Sequence, residues 1–153
     1  MQNYDPNFNV VARPGDIPVS GYNFGIGSSR EHTAAAILAR DTQLVVTSTF
    51  SSTYTRNAIN NALMNLQVPR LVERLRAYFK NKEGENSAKS LTRSSGWTLT
   101  WDIWRSIVEV QEDSDGTTWT EKVGELLATV QAIIAADGLK AWTKAEINKS
   151  KNM

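Results

Sequence analysis

A short apolar segment, a glycine turn and a helix of small residues follow one another between Ile17 and Ala39, and this succession constrains the chain more than any other stretch. Ile17-Pro-Val-Ser20 reads as a strand. Gly25-Ile-Gly-Ser-Ser-Arg-Glu-His32 places two glycines where the backbone must turn. Thr33-Ala-Ala-Ala-Ile-Leu-Ala39 then reads as a helix. A strand, a glycine loop and a helix start in this order make an anion site, because N–H groups point out of the first turn and the helix dipole favours negative charge there. Arg30 adds a planar fork that suits a carboxylate. Ser28 and Ser29 can cap the helix or face the ligand. The same residues also suit a well-capped helix start with a surface guanidinium, and spacing alone leaves both readings open.

Several familiar loops are excluded. No Gly-Lys-Ser/Thr follows, so this is not a phosphate loop, and the third glycine of the dinucleotide fingerprint is absent. A hydrolase nucleophile elbow needs a glycine two residues after the serine, where this chain has Arg30. His32, the chain's one histidine, lies a helical turn from Ser28, whereas a triad base approaches from another part of the fold. His32 is expected to pack or hydrogen-bond at the first turn.

The β-branched run Leu44-Val-Val-Thr-Ser-Thr49 suits a buried strand. Ala58, Ile59, Ala62, Leu63 and Leu66 share one side of a helix, as do Val68, Leu71, Val72, Leu75, Tyr78 and Phe79. The first half therefore reads β–α–β–α–α, a parallel pair with a crossover helix. Residues 80–96 are charged and serine-rich and read as a loop. Then the texture changes. Trp97, Leu99, Trp101 and Ile103 alternate with polar residues, and 107–111 and 117–120 look like two further strands, with Asp113-Ser-Asp-Gly116 as the turn. A helix is expected over 122–136, stopped by Gly138, and the tail from Lys144 to Met153 is expected to fray. The class is α/β: a mixed sheet with flanking helices and a β-rich second half. The chain is expected to be a single domain over 1–153, with 1–16 as a lead-in arm.

Arg56-Asn57 and Asn60-Asn61 follow the strand at 44–49. They can cap and solvate a helix, or Asn57 can form a second wall of the anion site, since ligands of open α/β sheets sit at the carboxyl ends of strands. Trp97 and Trp101 are expected in the core, and Trp104 and Trp119 are expected to pair across strands.

Bulk numbers remove whole classes of function. The chain has 153 residues and a net charge of +1, so nothing draws it to nucleic acid or to a membrane surface. No apolar run approaches the length of a membrane span. There is no cysteine, which excludes disulfides and any thiolate-held metal or iron–sulfur cluster on this chain, and one histidine argues against a multi-histidine metal site.

Ser20-Gly-Tyr-Asn-Phe-Gly-Ile-Gly-Ser-Ser-Arg-Glu-His32 resembles the signature of the aconitase superfamily swivel domain. That domain is the mobile C-terminal part of aconitases and the small subunit of isopropylmalate isomerases. The likeness continues through Phe50 and Asn57…Asn61-Ala-Leu63. Leu91-Thr-Arg-Ser-Ser-Gly-Trp-Thr-Leu-Thr-Trp101, Lys122-Val-Gly-Glu-Leu126 and Val130-Gln-Ala-Ile-Ile134 look most like the fungal homoaconitase branch.

The resemblance implies a hydro-lyase of mitochondria, acting in lysine biosynthesis by the α-aminoadipate route. It moves a hydroxyl between adjacent carbons of a tricarboxylic acid through a dehydrated intermediate. By this match Ser28 is the catalytic base, and Gly27, Ser29, Arg30 and Asn57 bind substrate. A [4Fe–4S] cluster acts as Lewis acid, held by cysteines of the other domains and not by this chain. The partner is then the cluster-bearing domains or large subunit, and this piece alone is inactive. The strand and Asp-Thr-Asp loop that usually open swivel domains are not found, so the chain is expected to belong to a longer enzyme. Residues 47–55 drift from the usual Gly/Ala-rich version. Two alternatives stand beside this reading: an isopropylmalate isomerase small subunit, and an anion-binding module without turnover.

Overall fold

Leu44–Thr47 (β2) is buried on both faces, which is what a β-branched strand at the centre of a parallel sheet requires. The computed structural model describes residues 5–27, 32–83, 91–112 and 116–151. Val19–Ser20 (β1) pairs parallel to β2 on one side, with Val19 opposite Val46. Met64–Gln67 (β3) pairs parallel on the other, with Leu44 opposite Met64 and Thr47 opposite Gln67. His32–Leu38 (α2) makes the crossover from β1 to β2, and Ser52–Asn60 (α3) makes the one from β2 to β3. A single helical turn, Phe8–Val11 (α1), lies within the lead-in arm.

β3 replaces part of an expected helix. The helical spacing of Ala58 through Leu66 breaks after Asn60. There Asn61 caps α3 and Ala62 takes a left-handed φ of 60°. The Leu63 N–H closes back on the Ala58 carbonyl at 2.9 Å, and the chain leaves as a strand. Four apolar residues over so short a stretch fit a strand as well as a helix, and pairing with β2 decides between them. The first half is thus β–α–β–α–β–α, ending in Pro69–Glu83 (α4). α4 takes in residues 80–83, which the sequence assigns to a loop.

The second half is an antiparallel meander of Thr98–Asp102 (β4), Ile107–Gln111 (β5) and Thr118–Lys122 (β6). Parallel and antiparallel strands are both present, and they form two three-stranded sheets rather than a continuous mixed one. The period-two alternation of β2 joins the layers. Val45 packs with Ala34, Ile37, Tyr54, Ala58 and Leu63 against α2 and α3. Leu44 and Val46 face the other way, toward Leu66, Val68, Leu71, Val108, Val110, Trp119 and Val123. The antiparallel sheet and α4 therefore cover the face of the parallel sheet opposite α2 and α3.

Trp97 and Trp101 pack against this second cluster, as their alternation implies. Trp104 and Trp119 do not pair. Trp104 is 90% exposed in the β4–β5 turn, while Trp119 is 9% exposed on β6. The expected helix over 122–136 begins at Ala128 instead (α5, Ala128–Ala135). Val123 is held extended by its N–H bond to the Ser106 carbonyl at 2.8 Å, and this delays the start. Gly138 does stop α5, with φ 110° and its N–H on the Ile133 carbonyl at 2.9 Å. The tail is not frayed through Lys151, because Leu139–Lys151 forms α6.

Candidate functional site

The turn after β1 and the turn after β2 lie side by side at the carboxyl edge of the parallel sheet. Hydrogen bonds between described residues lace them together. The Ser48 N–H donates to the Gly21 carbonyl at 3.1 Å, and Thr47 Oγ1 donates to the same oxygen. Asn23 N–H reaches Thr49 Oγ1 at 2.8 Å. Phe24 N–H reaches the Thr49 carbonyl at 2.9 Å, and Ser51 N–H returns to the Phe24 carbonyl at 2.9 Å. Ser51 Oγ then donates to the Gly25 carbonyl at 3.0 Å while accepting from Tyr54 N–H at 3.3 Å, so one hydroxyl caps α3 and ties down the glycine loop.

Beneath this lacing is an aromatic floor. Phe50 stacks on Tyr54 with ring centroids 5.6 Å apart, and Phe24 meets Tyr54 edge-on at 5.0 Å. Tyr54 is 1% exposed, and burial pushes its phenol up to about 12. The backbone of Gly25 rests on it. A Cβ at Gly25 would lie 2.4 Å from Tyr54 Cβ, and Gly25 has φ 81°. Close approach and left-handed backbone both demand glycine there. Gly27 has φ 80° with open space around it, so its requirement is conformational alone.

Ser28, Ser29 and Arg30, the candidate base and carboxylate ligands, lie outside the described residues. The structure describes what comes before and after them. Gly25 and Gly27 turn the chain toward α2, and α2 anchors itself through buried Ala34 and Ile37. His32 is exposed at the start of α2. Asn57 is half-buried one turn beyond Tyr54 on α3. Its neighbours in the asparagine cluster serve other ends. Asn61 Nδ2 bonds the Asn57 carbonyl at 2.8 Å, and the Asn60 carbonyl faces Gly138.

Sequence reasoning missed Ser51 and Tyr54. The signal for Ser51 was available, since a serine preceding the first helical residue is a standard cap. Nothing in the sequence announces that Gly25 sits on Tyr54, because that contact joins residues of different elements.

The chain is similar to known proteins. A family model described as the aconitase C-terminal domain matches residues 1–71. The chain is 57% identical over 147 residues to the mitochondrial homoaconitase of Aspergillus oryzae, covering 96% of this chain and 19% of that protein. It is 56% identical over 147 residues to the mitochondrial homoaconitase of Emericella nidulans, covering 96% of this chain and 18% of the relative. The chain thus spans about a fifth of the length of the curated relatives it matches. Among solved structures, the 3-isopropylmalate dehydratase (leuD) of Methanocaldococcus jannaschii superposes with a TM-score of 0.65 at 25% identity, covering 97% of this chain and 75% of the other.

Proposed function

We propose that the chain belongs to the aconitase C-terminal domain family and is the swivel domain of a mitochondrial homoaconitase of lysine biosynthesis. The carrying observation is the likeness over 96% of the chain to proteins named homoaconitase. The parent enzyme interconverts homocitrate and homoisocitrate by dehydration and rehydration.

In this reading Ser28 takes the proton from the carbon next to a substrate carboxylate. An ordinary serine is far too weak a base for that, so loop N–H groups and Arg30 must stabilise its alkoxide. Ser29, Arg30, Gly27 and Asn57 hold a carboxylate of the tricarboxylic acid. The lacing of 21–27 onto 47–51 supports this reading, because a base must be held within a fraction of an ångström of its proton. The family's [4Fe–4S] cluster does not fit this chain. It has no cysteine, and among the described residues no three His, Cys, Asp or Glu side chains converge. The cluster belongs to the remaining four-fifths of the enzyme, which is also the partner this domain works against.

The test is hydration of homoaconitate by the reconstituted parent enzyme, followed by its ultraviolet absorbance. Ser28→Ala should lower kcat by about a hundredfold to ten-thousandfold. Arg30→Lys should mainly raise KM. A Ser28→Ala enzyme with nearly intact turnover would sink the base assignment. Preference for an isopropylmalate-type substrate over homoaconitate would move the chain to the branch of its structural neighbour.

A further inference from the structure

Leu139–Lys151, the helix α6, runs for 13 residues and buries none of them. It leans on α5 and on α3. A helix of this length is marginal in water unless something covers one side of it. Lys140 and Lys144 stand four residues apart and repel each other. Neither has a carboxylate partner among the described residues, whereas Glu146, the one acid of the helix, is taken by Lys149 at 2.7 Å.

α6 and the end of α3 border a groove of about 490 Å³. Leu139, Thr143 and Ile147, four residues apart, line it as one row, and Lys140 and Lys144 line it in the next. Asn60 supplies the α3 side. Ile147 is 49% exposed. Apolar residues at helical spacing beside charges of one sign make a seat for an amphipathic helix of the opposite sign. α3 leaves the carboxyl end of β2 and finishes before the amino end of β3. The groove therefore lies at the amino edge of the parallel sheet, away from the laced turns at the carboxyl edge.

Resting on the homoaconitase reading, we propose that this groove anchors the domain to the rest of its enzyme by receiving an acidic amphipathic helix from the cluster-bearing part. The chain spans about a fifth of the length of its curated relatives, which leaves four-fifths of the enzyme to supply that helix. Its carboxylates pair with Lys140 and Lys144 and cancel their repulsion, and its apolar side covers Leu139 and Ile147. The contact holds the amino edge and leaves the carboxyl edge free to meet substrate.

The experiment uses the parent enzyme with its cluster in place. A carbodiimide joins an amine to a carboxylate where the two touch, and mass spectrometry of the digest identifies the pair. Links should run from Lys140 or Lys144 to Asp or Glu of the remaining domains. Hydrogen exchange of the α6 amides should be slow in the wild type and about tenfold faster in Lys140→Glu/Lys144→Glu. Lys140→Gln/Lys144→Gln, which removes the charges without reversing them, should fall between the two. Raising salt should speed exchange in the wild type and change it little in the Gln variant. Links confined to carboxylates of this same domain, with equal exchange in all three proteins, would overturn the proposal. So would links that join two enzyme molecules, recognised by their doubled mass, because the groove would then receive a second copy. Hydration of homoaconitate is followed on the same wild-type preparation. Its absence would overturn the homoaconitase reading, while the links still decide what occupies the groove.

Discussion

Arg74 grips Glu112 with two guanidinium nitrogens, Nε on Oε1 and Nη2 on Oε2 at 2.9 Å, and so fastens α4 to the end of β5. Trp119 Nε1 donates to the same Oε1 at 2.6 Å, and Arg70 and Arg74 lie 4.6 and 5.6 Å from the centre of its ring. One carboxylate thus organises a helix and two strands. Glu112→Ala should cost about 1–2 kcal/mol, the lower part of the range for a charge-assisted hydrogen bond because Arg74 is partly exposed. Urea unfolding checks this, and a cycle with Arg74→Ala should show that the two losses do not add.

The same carboxylate sets a dependence on acid. The hydrogen bond from Arg74 holds Glu112 below the usual carboxylate range. A depressed folded value means that the contribution is complete above the unfolded value of about 4.3 and is lost as pH falls through the folded value. Stability measured from pH 6 downward should decline less steeply in Glu112→Gln than in the wild type.

Gly25 and Gly27 have nearly the same φ but should respond differently to alanine. Gly27→Ala carries only the left-handed backbone cost, about 1–2 kcal/mol. Gly25→Ala adds a collision with Tyr54, for about 1–3 kcal/mol more. Denaturation midpoints of the two variants give the comparison, and equal losses would show that the loop lifts off Tyr54 without resistance.

Tyr54 carries a buried hydroxyl that no group among the described residues satisfies. Tyr54→Phe should therefore be neutral or slightly stabilising at neutral pH. Because burial raises the phenol to about 12, the native state keeps its proton after the unfolded chain has lost it. Stability should fall between about pH 10 and the folded value, and Tyr54→Phe should remove that part of the fall. Thermal unfolding across the alkaline range decides it.

Ala62 ends α3 with φ 60°, a conformation that glycine adopts freely. Ala62→Gly should stabilise by about 0.5–1 kcal/mol, the left-handed strain removed less the added backbone freedom of the unfolded chain. A lower urea midpoint would show that the methyl group makes packing contacts worth more than the strain.

Much of this fold is legible in the sequence, where one local pattern governs. The strands around Val45, Leu99 and Val108, the stop at Gly138 and the turns at Gly25 and Gly27 all follow from nearest-neighbour chemistry, while the expected turn over 113–116 lies largely outside the described residues. The failures fall where two patterns compete or where a partner is distant. Leu63 and Leu66 satisfy a helix and a strand equally, and only β2 chooses. Val123 and Leu126 fit a helical stripe until the Ser106 carbonyl claims the chain. In the site, glycines at 25 and 27 can be read directly, but Tyr54 beneath one of them depends on how α3 returns to the sheet.

In both sheets every hydrogen-bonded neighbour is also the next strand along the chain. Among the described residues no strand pairing links the first half to the second, and the halves meet through side chains such as Val46 and Leu71 against Val108 and Val110. Each half is therefore free to form its ladder before the other. A cut in the backbone between α4 and β4 would break no strand pair. Two separately made fragments would then have a ready apolar face on which to find each other, and the order in which they emerge from a ribosome would matter little to the finished fold.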